Sequence, residues 1–298
     1  MPEPKAVFDR ICYPVDPLSA SSRALAHALK LAAAARGGLT LLHTGNTGVD
    51  APNTDFSRVR QTLERWNMLS SGSRDASIAT LGLDVQNVIS LDSETVRSVV
   101  RYLRRHPHDL IVLATHSDGF QHWLHPEAPT LGRTPGMTLL LPHETEGFIS
   151  ETTGEASLGS ILIPVDNFPD PQRAVDSARE LVDVLGCTGA EGTLLYVGDR
   201  VRAPEIRHLE PGSVKWRWAY REGEIDVEIL RAADEYHADL VVMATEGRHG
   251  FLDAFRGSTT ERIVRQTRRP VLAVPAYRGE ATARKTVAAD LATGKLTV

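Results

Sequence analysis

One segment of the sequence could cradle a phosphate. It reads Ala244-Thr-Glu-Gly247-Arg-His-Gly250-Phe-Leu-Asp-Ala-Phe-Arg-Gly257-Ser258-Thr259-Thr260-Glu261-Arg262, and apolar residues at helical spacing then begin with Ile263 and Val264. Glycine lets a backbone approach a ligand closely. A Gly-Ser-Thr-Thr step into a helix also offers free N–H groups, hydroxyls and the positive end of the helix dipole. The same residues read equally as a plain helix start, because Ser258-x-x-Glu261 is a capping box and Gly257 relaxes the turn before it. The segment alone leaves both readings open. A second chemical signal is a carboxylate closing an apolar run: Asp166 in Ile163-Pro-Val-Asp166, matched by Asp16 in Tyr13-Pro-Val-Asp16.

Those two runs belong to a repeat. Leu41-Leu-His-Thr-Gly45 recurs as Leu194-Leu-Tyr-Val-Gly198, and Asp109-Leu-Ile-Val-Leu-Ala-Thr115 recurs as Asp239-Leu-Val-Val-Met-Ala-Thr245, in the same order. Each is an apolar run of about five residues bounded by polar or turn residues, as strands buried on both faces of a parallel sheet require. Between them, apolar residues fall at three- and four-residue spacing, as in Ala24, Leu25, Ala28 and Leu29, and again in Ala174, Ala178, Leu181 and Val182. Strands are expected near 7–15, 39–44, 84–90, 109–114 and 137–141, then near 160–165, 192–197, 213–221, 239–244 and 271–275. Helices are expected near 19–36, 55–71 and 93–106, then near 170–185, 223–236 and 258–268, with a short Ala203–Leu209 segment where the second repeat lacks a long helix. Strand–helix alternation makes this an α/β chain of two tandem, open, parallel five-stranded sheets with helices on both faces. The expected domains are 1–145 and 157–277, joined by a linker from Glu144 to Ser157 with little apolar content and followed by a small polar tail, 278–298.

The 298 residues suit two ordinary domains, and 42% hydrophobic with 24% charged residues excludes a mainly disordered chain. A net charge of -5, with 33 Lys+Arg against 38 Asp+Glu, argues against nucleic acid as a partner. The longest Ala/Leu-rich stretch, Ser22 to Leu42, is interrupted by His27, Lys30 and Arg36, so neither membrane insertion nor secretion is expected. Two cysteines, Cys12 and Cys187, are too few for a disulfide framework, and a reducing cytoplasm fits them best.

A strand ending in Asp, then a fourth strand followed by Gly-x2-Gly-x9-Gly-Ser/Thr, is the ATP-binding signature of the universal stress protein family. The chain resembles that family, in a tandem form, over residues from about 5 to 277: Ala244-x2-Gly247-x9-Gly257-Ser258 matches in spacing and in every position but the first, and Asp166 ends the first strand. The resemblance implies a strand order of 3-2-1-4-5 in each half, a nucleotide between strands one and four, and pairing through the fifth strands, here Met137–Leu141 and Val271–Val274. It implies that Asp166 contacts adenosine and the backbone near Tyr196 and Val197 borders the base. Gly247, Gly257, Ser258 and Thr259 would then hold the phosphates of ATP with Mg²⁺. Two residues depart from the pattern: Ala244, which crowds the ligand or bars a positive φ, and Glu246, which needs a metal or Arg248 beside it. The first half carries Ala114-Thr-His-Ser117-Asp118-Gly119 and Pro126-Glu127-Ala128 at the equivalent places, and is expected to be a degenerate, non-binding copy despite Asp16.

Other signals have plainer readings. His106, His108, His116, His122 and His125 cluster around the fourth strand of the first half without a zinc-site pattern. Gly186-x-x-Gly189-x-x-Gly192 precedes a strand and is expected to be a turn. Lys215-Trp-Arg-Trp-Ala-Tyr-Arg221 alternates aromatic and mostly basic residues, which suits an edge strand facing core or a second subunit better than a nucleic-acid surface. No P-loop, nucleophile elbow or Ser-x-x-Lys occurs. The expected function is a nucleotide-binding stress regulator or signalling module, with halves paired within the chain and a homodimer possible. A slow ATPase and a ligand-free interaction protein are the alternatives.

Overall fold

The structure, a computed structural model, describes residues 8–15, 21–44, 51–90, 95–115, 136–142, 145, 147–210, 212–246 and 259–276, without the side chains of 44, 51–55 and 95–97. Ten strands are formed: β1 (Arg10–Val15), β2 (Gly38–Thr44), β3 (Asp84–Ser90), β4 (Leu110–Thr115), β5 (Met137–Pro142), β6 (Ser160–Pro164), β7 (Ala190–Val197), β8 (Val214–Arg221), β9 (Leu240–Thr245) and β10 (Val271–Pro275). The helices are α1 (Ser22–Ala35), α2 (Ala51–Arg65), α3 (Thr95–Arg105), α4 (Gln172–Leu185), α5 (Ile225–Glu235) and α6 (Thr259–Gln266). Helix α2 starts and stops earlier than its periodicity predicts, and the chain after it turns into a 3₁₀ segment, Asp75–Leu81.

Each half has the order 3-2-1-4-5 with parallel pairing. The expectation of two separate sheets is corrected: β5 and β10 pair antiparallel, Val271 opposite Leu140 and Leu272 opposite Leu139, so the order runs β3-β2-β1-β4-β5-β10-β9-β6-β7-β8 in one ten-stranded sheet. The reason lies in the side chains. Every residue of β5 is buried, as are the first four of β10, so both strands need cover on two faces and a partner on the open edge. The outermost strands β3 and β8 are only partly buried and carry charge.

Two apolar layers cover the sheet. One unites Leu29 and Leu31 of α1, Val59 and Leu63 of α2, and Ala178 and Leu181 of α4, and it runs across both halves. The other holds Val99 and Leu103 of α3, Ile229 of α5, and Ile263 and Val264 of α6. Ser21 caps α1 by accepting the Ala24 N–H at 3.2 Å.

The segment joining the halves is built into the first layer. Phe148, Ile149 and Leu158 are buried, and Ile149 bridges Ala156 in a tight antiparallel turn. Thus the expected linker is a docked connector. In the second half the Ala203–Leu209 stretch has no regular structure and follows a 3₁₀ turn at Arg200–Arg202. Gln172 fastens it, its side chain donating to the Arg207 carbonyl at 3.1 Å and accepting the Arg207 N–H at 2.9 Å.

Candidate functional site

The repeated Pro-Val-Asp segment fixes where the sheet opens. The Asp239 N–H donates to the Ser160 carbonyl and the Val165 N–H to the Leu195 carbonyl, so even-numbered residues of β6 face β9 and odd ones face β7. Pro164 therefore turns a nitrogen without hydrogen toward β9, and the rung after Leu162–Val241 has no donor. Only two residue pairs join β6 to β9. The first half repeats this: Asp109 donates to the Arg10 carbonyl, Pro14 faces β4, and β1 and β4 share two pairs. Beyond that point helix α4 follows β6 to one face and α6 follows β9 to the other. Such a reversal of winding leaves a crevice at the carboxyl ends of the strands.

Asp166 stands exposed immediately past β6, its carboxylate accepting the Asn167 N–H at 2.7 Å. Asn167 in turn donates its amide to the Arg202 carbonyl at 2.8 Å, which ties the lip to the segment after β7. Phe168, 39% exposed, follows on the same loop. At the end of β7, Tyr196 is buried, Val197 is half-buried, and Gly198 adopts φ +143, where a Cβ would stand 3.3 Å from the Tyr196 ring. On β9, Ala244 pairs in regular register with Val274 and is not among the residues with positive φ. An alanine there needs no left-handed backbone, which answers one of the two concerns its sequence raises. Thr245 is buried, and its carbonyl accepts the Ala276 N–H at 2.8 Å. Glu246 is exposed at the strand end.

Gly247, Gly257 and Ser258 lie outside the described residues, as do Asp16, His116, His122, His125 and Pro126–Ala128. Thr259 opens α6. Its hydroxyl accepts from Arg262 at 3.3 Å, and Arg262 Nε donates to the Asp226 carboxylate at 2.6 Å. The hydrogen bond from Arg262 holds the Asp226 carboxyl below its usual range. Sequence reasoning gave Arg262 no fixed place; the structure assigns it to Asp226 at the start of α5.

Elsewhere, His108 is buried, its Nδ1 2.6 Å from the His106 carbonyl and its Nε2 3.1 Å from Thr40 Oγ1, and burial lowers its pKa. His106 stacks on Tyr102 with ring centroids 4.6 Å apart. Among the described residues no group of three or more His, Cys, Asp or Glu is placed to hold a metal ion. Burial raises the Cys12 thiol pKa, so that sulfur is inert packing. Gly186 ends α4 in a left-handed cap and Gly192 lies beneath Trp216, where a Cβ would fall 2.3 Å from the ring; these glycines are turn and packing positions. Along edge strand β8, Trp218 stacks on Tyr220 and the aromatic side packs on the first apolar layer, while Arg221 pairs with Glu228 and Glu235.

Fold and strand ends together define a duplicated, doubly wound α/β protein whose sheet opens at its carboxyl edge. The chain belongs to the universal stress protein family, whose model matches residues 8–132 and 199–275, more than half of its length. Among solved structures it is similar to a universal stress protein from Archaeoglobus fulgidus (14% identity, TM-score 0.58, covering 91% of this chain and 98% of that one). A functionally unknown protein from Pseudomonas aeruginosa PAO1 is similar at 15% identity and TM-score 0.56, covering 91% and 94%. The cytoplasmic domain of a prokaryotic cation chloride cotransporter shares the fold at 12% identity and TM-score 0.50, covering 89% and 94%. No curated protein sequence matches significantly. Among the described residues no helix is long and apolar enough to cross a membrane.

Proposed function

We propose that this universal stress protein is a nucleotide-responsive regulator that binds one ATP with Mg²⁺ in its second half and signals through conformation or partners in the cytoplasm. The observation that carries this reading is the opening of the sheet between β6 and β9. Asp166 stands past one of these strands, and the other leads on to the start of α6. Asp166 and Asn167 would contact the adenosine side, Phe168 offers a ring for the base to stack on, and the backbone of Tyr196 and Val197 borders it. Ala244 fits as an ordinary strand residue. Gly247, Gly257 and Ser258 would supply N–H and hydroxyl groups to the phosphates along with Thr259, and Glu246 is an oxygen ligand suited to a hard cation. ATP brings the anionic charge that such donors would meet.

The described cations support retention rather than turnover; Arg248 and Arg256 lie outside the described residues. Fast phosphoryl transfer needs fixed positive charge on the transferring group and a residue orienting water. Arg262 is engaged by Asp226, and Arg265 by Glu261 at 2.9 Å.

Mass spectrometry of gently purified protein should find a co-purifying adenine nucleotide, and calorimetry should give one site per chain. Gly257→Asp should abolish binding by placing an acid against the phosphates. Steady-state hydrolysis should fall well below the 1–100 s⁻¹ of kinases. Two sites per chain would show that the first half is not degenerate. Turnover in the kinase range, lost in Glu246→Gln or His249→Ala while binding survives, would make the protein an enzyme.

A further inference from the structure

We propose that the first half carries a separate ligand site, for a small amphipathic carboxylate, in the cavity between α1 and α2. This goes beyond the nucleotide reading and does not depend on it. The cavity, about 240 Å³, lies over the carboxyl end of β1 and the middle of β2. Its inner wall is mostly hydrocarbon: Val15, Leu25, Ala26 and Leu41 are all buried, with Thr62 the buried polar side chain among them. Beside Thr62, the Tyr13 hydroxyl donates to the Ser21 carbonyl at 3.1 Å. The floor therefore rewards an apolar group and would penalise a bare phosphate.

The mouth has the opposite chemistry. Arg58, Gln61 and Arg65 follow one another at i, i+3 and i+7 on α2, all exposed, and all line the cavity. Guanidinium groups present paired donors that match a carboxylate, and an amide beside them adds another. Glu151 of the connector shapes the opposite rim. Its carboxylate takes the Ser22 hydroxyl at 2.5 Å and Arg23 Nε at 3.2 Å, and its carbonyl takes Arg65 at 3.2 Å. The rim is thus held in place from both helices. A ligand with its hydrocarbon inward and its carboxylate at Arg58 and Arg65 satisfies both zones. On the scale by which a 150 Å³ cavity takes benzene, this volume holds about ten non-hydrogen atoms, the size of octanoate.

The experiment is calorimetry on the full chain with octanoate, hexanoate and 1-octanol. One octanoate should bind per chain, about fifteenfold tighter than hexanoate, since each buried methylene gains about fourfold. The alcohol should bind at least tenfold more weakly than the acid. Ala26→Leu should fill the cavity and block binding. Arg58→Glu, at an exposed position, should weaken octanoate tenfold or more and decides the matter where Ala26→Leu fails to fold. Saturating ATP should leave the octanoate isotherm unchanged. Absence of saturable octanoate binding, or binding indifferent to Arg58→Glu, overturns the proposal.

Discussion

His27 fastens the connector between the halves to α1 through a single neutral imidazole. It is fully buried on α1; its Nδ1 lies 2.8 Å from the Arg23 carbonyl, so that nitrogen carries the proton. Nε2 is then an acceptor, and it receives the N–H groups of both Phe148 and Ile149 at 3.1 Å. Burial pushes its pKa down to about 4, against about 6.5 in an unfolded chain. The unfolded state takes up the proton first, so the contribution of His27 is complete above pH 6.5 and declines as the pH falls toward 4, by about 3 kcal/mol in all. Urea melts at pH 7.5 and pH 5 should differ by about 2 kcal/mol of this loss, and His27→Gln should flatten it. Two glycines fit the same contact. A Cβ on Gly147, at φ +74, would meet the imidazole at 2.4 Å, and one on Gly154, at φ +69, would meet Trp66 at the same distance. Gly154→Ala should therefore destabilise by about 1–3 kcal/mol, read as a shift in the urea midpoint. None of this was legible in the sequence. His27 looked like a polar interruption of an Ala/Leu-rich helix, and residues 144–157 looked like a tether because two buried side chains, Phe148 and Ile149, are a weak apolar signal among Glu, Thr and Gly.

At the scale of elements, proline sets the depth of the crevice. Pro14 and Pro164 each stop a ladder that the neighbouring strands are long enough to continue, since β1 and β2 pair over six residues while β1 and β4 pair over two. Pro164→Val restores the missing N–H and should zip β6 onto β9. We expect an unchanged or higher Tm together with nucleotide binding weakened at least tenfold, measured by calorimetry. Loss of stability without any change in binding would show that the proline matters only for the loop. The strands themselves were readable because runs such as Leu110–Leu113 and Val241–Met243 are apolar at every position, the mark of burial on both faces. The expected bounds of β3 (84–90) and β10 (271–275) are the observed ones. The crevice was readable only in part. Asp166 could be placed at a strand end from the repeat, but the role of the proline before it depends on which neighbour each N–H faces, and that parity appears only with the register.

At the scale of the molecule, the join between β5 and β10 makes one sheet of two. It sets Leu139 opposite Leu272 and Leu140 opposite Val271, all four buried. A fragment limited to residues 157–277 would expose the edge of β10, and an open apolar edge pairs with whatever copy it meets. Sedimentation should show that fragment self-associating, and Leu272→Lys should suppress the association. A strictly monomeric wild-type fragment would mean that the edge is protected by something other than β5. The fifth strands were visible as apolar runs and the family resemblance implied that they pair; that the pairing is antiparallel and continues one sheet is what no local pattern encodes.

The same join relates the halves by an approximate two-fold axis, the geometry of a symmetric dimer. Where such a dimer is built from two copies of one gene, every substitution arrives twice, once on each side of the axis. In a single covalent chain it arrives once. His27 has Ser177 at the equivalent place on α4, also buried, and the connector that His27 grips exists on one side only. Fusion has released the two halves from identical inheritance, so either can acquire or abandon chemistry while the other remains as it was.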